Sequence, residues 1–197
     1  MEASAFAVER QAQASQGPLT GRVTLSAPPV LVTHLLAGRP LDIRSQHGGI
    51  QLSVSAQAQQ VSLSRREADV ALRLVRPQEP SSVIRQLGQM PFALYASQDY
   101  EALHRPEDWR FIAYDAQFAD MPQQQWLLGI AGRRAVACEL SDIGSHLAAE
   151  AAPFSRDIRL VVHRDLRHAK PVRAVMDFVA QVITQTAGLG LPAAAGI

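Results

Sequence analysis

Polar and apolar residues alternate through Arg22-Val23-Thr24-Leu25-Ser26, the two-residue period of a half-buried strand. The apolar run from Val30 to Leu36 follows Pro28 and Pro29, residues suited to a helix's first turn, and Ser26 is placed to cap that helix. Pro40 is expected to end or kink it. The pattern then repeats. Ile50-Gln51-Leu52-Ser53-Val54 is a second alternating strand, Val61 to Glu67 a short helical segment, and Ala68 to Leu74 a third strand. Three strands joined by helical crossovers predict right-handed βαβ units and a parallel sheet, so the fold class is α/β.

Pro77, Pro80 and Ser81-Ser82 predict a surface loop, with a buried strand at Phe92 to Ala96 after Gly88 and Pro91. Phe111 to Tyr114 reads as a short strand after the turn at Arg105 to Asp108. Helices are expected from Pro122 to Ile130 and from Ser141 to Ala151, with the strand Ala135 to Cys138 between them. Ile158 to His163 is a further strand. It leads to a helix whose apolar residues Val172, Val175, Met176, Val179, Val182 and Ile183 recur at the i, i+3, i+4, i+7 spacing of a face packed on a sheet. Residues 2 to 15 predict a polar helix with too little apolar face to stand alone. The final AGLGLPAAAGI reads as a disordered tail.

Composition narrows the chemistry. The 197 residues are 47% hydrophobic and 19% charged, with a formal net charge of +1. The arginines are spread along the chain and Lys170 is the sole lysine, which argues against a self-sufficient nucleic-acid binder. Cys138 is the sole cysteine, so an intrachain disulfide or cysteine cluster is excluded, and its apolar strand predicts a buried structural thiol. His163 and His168 stand five apart with no carboxylate set around them, so neither a metal nor a cofactor is expected. Glu2 and Glu9 argue against a secretory leader, and no apolar run is long enough for a membrane span; the expected compartment is the cytoplasm.

Two short strings mimic enzymes. His163-Arg164-Asp165-Leu166 begins like a kinase catalytic loop, but Lys170 stands where that loop needs asparagine. Asp142, Ser145 and His146 supply the residue types of a hydrolase triad on one short segment, which cannot form the relay. The expectation is a protein that is not an enzyme.

Four strings in order, GRVTLSAPPVLVTHLL, LSRREADVALRLVRP, PFALYASQDY and RLVVHRDLRHAKPVRAVMDFVAQVI, together resemble the effector-binding region of LysR-type transcriptional regulators across residues 19 to 185. The resemblance implies a two-lobed fold like that of type 2 periplasmic binding proteins, with a small-molecule effector between the lobes. Residues 19–90 and 164–186 would form the first lobe and 91–163 the second. Residues 1–18 would be the remnant of a linker helix and 187–197 a tail. Carried onto this sequence, one wall of the effector site is Ser26, Ala27 and Pro28, with Ser55, Ala56, Gln57 and Arg73; Tyr114 and Asp115 are the opposite wall. Ser26 and Arg73 have the chemistry of a carboxylate anchor, although a helix cap and an ion pair are their ordinary uses.

The chain also departs from the family's pattern. It lacks the N-terminal winged helix-turn-helix, so DNA would be reached only through a domain absent here. The second lobe is shortened, since Ala152 runs directly into Pro153-Phe154. Pro40 falls inside a helix that in the family continues to the equivalent of Ser45, where an interior proline costs about 3 kcal/mol. Arg159 replaces a frequent tryptophan. The expected function is effector sensing with signalling through a homodimer or higher oligomer. The rivals are an interaction module that pairs with intact regulators and a free solute-binding protein.

Overall fold

The computed structural model describes residues 19–57, 63, 67–96, 98–133, 136–141 and 154–189. The expected helix at 2–15, the expected helix at 141–151 beyond Ser141, most of the segment at 61–67, and the tail beyond Leu189 lie outside these residues. The chain divides into two compact units, Met1–Met90 with Ser155–Ile197, and Pro91–Phe154.

The first unit is built on a five-stranded sheet. Strands β1 (Gly21–Ala27), β2 (Ile50–Ala56) and β3 (Val70–Arg73) are the first three strands expected from the sequence, the first two by alternation, and β1 runs parallel to both others. Strand β4 (Ser82–Phe92) and the later β7 (Phe154–His163) complete the order β2-β1-β3-β7-β4. β7 pairs antiparallel with β3, which returns the chain to the first unit at Ser155; the sequence reading carried the second lobe on to residue 163. Asp69 ties β1 to the start of β3: its carboxylate accepts from the Thr24 amide at 2.8 Å, and its own amide donates to the Thr24 carbonyl at 2.9 Å.

Helix α1 (Pro29–Leu31) is a single turn that runs on as a π-helical stretch, Val32–Leu36. It is capped by Pro28, with no side-chain hydrogen bond, so Ser26 is not its N-cap: Ser26 still belongs to β1. Pro40 opens a separate helix, α2 (Pro40–Gln46), instead of interrupting one. The first helical position needs no backbone N–H donor, so the expected interior-proline penalty does not arise. Pro40→Ala should accordingly change stability by less than about 1 kcal/mol, as a chemical-denaturation midpoint would show; a gain of about 3 kcal/mol would restore the interior-proline reading.

Two further expectations change. β4 begins at Ser82, inside the predicted loop, and ends at Phe92, while Ala93–Ala96 form no regular element and expose Leu94 and Tyr95. Gly88 and Pro91 read as breakers, but β4 is an edge strand, and edges tolerate a proline because one row of amides is unpaired. The tail also starts packed. Gly188 takes φ +77°, the turn buries Leu189, and the Leu189 carbonyl accepts the Gln89 amide of β4 at 2.8 Å.

Helix α5 (Lys170–Gln185) packs on β1, β3 and the π-helical stretch. It buries Val172, Val175, Phe178, Val179, Ala180, Val182 and Ile183, the stripe expected from the spacing with Phe178 and Ala180 added and Met176 left half-buried.

The second unit contains helix α3 (Gln98–Leu103), a 3₁₀ turn at Pro106–Asp108, strand β5 (Phe111–Tyr114), a 3₁₀ turn at Ala116–Phe118, helix α4 (Pro122–Ala131) and strand β6 (Val136–Leu140). β5 and β6 are parallel neighbours. Cys138 is exposed, contrary to the buried thiol expected from its apolar neighbours: β6 is exposed from Val136 through Glu139.

Candidate functional site

Three adjacent parallel strands end together at Ala27, Ala56 and Arg73. Ligand sites in α/β sheets form beyond such carboxyl ends, where loops rather than ladder partners face the space. The register sets Ser26 opposite Ser55 and Ala27 opposite Ala56, and the Gln57 amide donates to the Ala27 carbonyl at 3.0 Å. Ser26, Ala27, Pro28, Ser55, Ala56, Gln57 and Arg73 are therefore one neighbourhood, although they span 48 positions of sequence.

Arg73 is the chemical centre of this neighbourhood. The residue is only 6% exposed. Its Nη1 donates to the Leu72 carbonyl at 2.8 Å, the Ser26 carbonyl at 3.2 Å and the Ser26 hydroxyl at 3.3 Å. Its Nη2 is buried and has no hydrogen-bond partner. Burial lowers the guanidinium's pKa, against a smaller upward push from Glu79, yet an arginine remains charged at neutral pH. An unsatisfied buried N–H of a cation costs about 1–3 kcal/mol or more, which an anionic acceptor would relieve.

The sequence reading missed Arg159. It is the direct cross-strand partner of Arg73 in the β3–β7 ladder, and directly opposed like charges destabilise a strand pair. Asp157 partly offsets this: it is ion-paired with Arg159 and accepts from Gln86 and Gln89 at 3.0 and 3.2 Å. Burial, and secondarily the Arg159 charge, also lower the pKa of Arg156 on the same strand. The signal in sequence was the basic run Arg156-Asp157-Ile158-Arg159, but its register against Arg73 depends on the antiparallel return of β7.

Accessibility divides the predicted residues. Ser26 and Ala27 are fully buried, Pro28 and Ser55 half-buried, and Ala56 and Gln57 exposed. Ser26 is thus a hydrogen-bond acceptor for Arg73 at the floor, and the reachable polar groups are on Ser55 and Gln57. An open depression of about 460 Å³ follows Arg73 along the chain, lined by Val75, Arg76, Gln78, Glu79 and Pro80. None of the nine predicted residues lines it. The strand ends carry the stronger case, because they gather the orphaned donor and the fixed register.

Tyr114 and Asp115 end β5 in the second unit. Gln124 of α4 holds the Tyr114 backbone at both ends, accepting from its amide at 3.0 Å and donating to its carbonyl at 2.9 Å. The Tyr114 ring meets Phe118 edge-on at 5.5 Å. Asp115 caps the following 3₁₀ turn, accepting from the Gln117 amide at 3.1 Å and from its side-chain nitrogen at 3.0 Å. Both residues have evident structural work in this turn. Among the described residues, no three His, Cys, Asp or Glu side chains gather in a metal-binding group.

Comparison with known proteins agrees with this architecture. A profile of the LysR substrate binding domain matches residues 16–152. The Mau operon transcriptional activator of Paracoccus denitrificans is 27% identical over 125 residues, a stretch covering 64% of this chain and 42% of that protein. The chain therefore spans less than half the length of that relative. The CrgA regulatory domain of Neisseria meningitidis superposes with a TM-score of 0.60 at 16% identity, over 82% of this chain and 98% of that one. The OxyR2 E204G regulatory domain of Vibrio vulnificus gives 0.63 at 13% identity, over 85% and 98%. These two similarities show the fold.

Proposed function

This chain belongs to the LysR substrate binding domain family, and from that premise we propose that it senses a small carboxylate metabolite at the carboxyl ends of β1, β2 and β3. Its relatives are transcriptional regulators, so the chain is a regulatory domain and not an enzyme. The observation that carries the carboxylate assignment is the buried, unpartnered Nη2 of Arg73 beside the Ser26 hydroxyl. A carboxylate accepts from a guanidinium in a planar, two-point geometry that a neutral ligand does not match. Ser55 and Gln57 would contact the same ligand; Tyr114 and Asp115 are proposed as the second unit's contribution.

Binding would bias how copies of the domain pair, and the coupling equals the difference in effector affinity between the two arrangements. In a whole regulator that change would reach DNA. No described helix is long and apolar enough to cross a membrane; the proposed compartment is the cytoplasm, where a transcriptional regulator meets DNA.

The experiment is a thermal melt of the chain with a panel of small organic acids and their amides. A ligand at about 100 times its Kd adds roughly 2.7 kcal/mol, so the binding acid should raise the midpoint visibly and its amide should not. An amide that stabilises as well as its acid would refute the anion reading. A cooperative melt unmoved by every acid would favour a pairing module without an effector.

A further inference from the structure

The neighbourhood of Arg73 already contains an anion. Glu79 is half-buried, and its carboxylate is near enough to act on the Arg73 guanidinium, whose pKa it pushes upward against the larger effect of burial. A ligand carboxylate arriving at Arg73 meets this like charge, and like charges brought together in a poorly solvated site oppose binding. A ligand that also brings a cation to Glu79 turns the same charge into a second anchor.

The chain places Glu79 for that role. β3 ends at Arg73, and the open depression of about 460 Å³ is walled by the loop that follows, from Val75 to Pro80. That volume is in the range of small-metabolite sites, about 300–1,000 Å³, and is more than a carboxylate group alone would fill. Two charged residues line it, Arg76 and Glu79. Arg76 is exposed, so solvent and salt screen it more strongly than the half-buried Glu79. The loop is also held in place. The Glu79 carbonyl accepts the Ser82 amide at 3.1 Å, and the Ser81 carbonyl accepts the Arg164 amide at 2.9 Å. Pro77 and Pro80 fix their own φ on either side of Glu79. A wall set before the ligand arrives loses little entropy on binding.

We propose that the effector is a zwitterion of the amino-acid class, its carboxylate held by Arg73, its ammonium group by Glu79, and the rest of the molecule in the depression between Val75 and Pro80. This assignment rests on the carboxylate reading above and adds the ligand's second charge. A simple acid satisfies Arg73 and is repelled by Glu79, and a simple amine does the reverse. A zwitterion meets an opposite charge at both ends, so Glu79 sets the selectivity and Arg73 supplies the anchor.

The test is isothermal titration calorimetry of the chain with the common protein amino acids, each beside its deaminated acid and its carboxamide. The expected result is that an amino acid binds and its deaminated acid binds at least about tenfold more weakly, the low end of what a charge-assisted hydrogen bond contributes. In E79Q that preference should vanish, because the amino acid loses its ammonium anchor while the acid sheds a repulsion. Glutamine keeps the shape of glutamate, and a ligand-free melt checks that the variant is folded. Should it melt early, the wild-type ratio of amino acid to acid decides by itself. Deaminated acids that bind as tightly as their amino acids would overturn the zwitterion and leave the carboxylate reading standing. A preference unchanged in E79Q would remove Glu79 from the site. Carboxamides that bind as tightly as the amino acids would overturn both readings. Silence from all three series would overturn the amino-acid class, and the wider acid panel then decides the carboxylate reading alone.

Discussion

Arg73→Met should leave the domain folded and cut its stabilisation by carboxylates to about half or less. Methionine approximates the length of the arginine stem, and replacing a buried charge by an apolar side chain of similar reach is often neutral or stabilising. The strand carbonyls of Ser26 and Leu72 would lose one donor each, a small loss because a carbonyl's second lone pair tolerates being unfilled. The ligand would lose a charge-assisted contact worth roughly 1.5–3 kcal/mol, or about 10- to 150-fold in affinity. In the melt, the midpoint without ligand should stay level or rise, and the same concentration of acid should add only roughly 0.3–1.4 kcal/mol in place of roughly 2.7. Arg73→Lys is a sharper control. It keeps the charge but replaces the fork by a single point, so it should recover only part of the shift. Full ligand stabilisation of Arg73→Met would remove the arginine from the site.

The first unit's parallel core was legible because its strands state their period openly. β1 and β2 alternate, and one face of each had to be buried, which fixed their extent to within two residues. What could not be read was the partner of β3. Local periodicity marks Ile158–His163 as a strand, yet nothing local says that it returns antiparallel beside β3 and sets Arg159 opposite Arg73. The proposed site therefore appeared in sequence as one arginine, whereas the fold sets a second arginine, Arg159, opposite it, ion-paired with Asp157.

Misreadings came where one residue type serves two purposes. Ser26 suits a helix cap, but the strand outlasts it and proline takes the capping position. Pro40 breaks an interior and equally well begins a new helix; the deciding feature is the turn at Ala37-Gly38 just before it. Apolar content made Cys138 and Leu94-Tyr95 look buried, but burial depends on what packs over a strand, and composition cannot supply that.

Ile183→Ala should destabilise the first unit by about 2–5 kcal/mol, the cost of a cavity in a close-packed core. Ile183 is 0% exposed on the face of α5 that packs against β1 and β3, so little space exists for its neighbours to collapse into. At this chain length the loss corresponds to a fall in Tm of about 4 to 20 °C. Leu103→Ala, at a residue 75% exposed in the second unit, should change it by less than about 0.5 kcal/mol. The core change also separates folding from sensing. β1 and β3 carry Ser26 and Arg73, and α5 is what holds those strands from one side, so the ligand-free midpoint should drop while the acid still raises it from the lower baseline. A variant that loses the ligand shift yet melts like wild type would place Ile183 in the effector's path instead of the core. Equal effects of Ile183→Ala and Leu103→Ala would mean that α5 is not seated on the sheet, and the arrangement that brings Arg73 under the strand ends would fall with it.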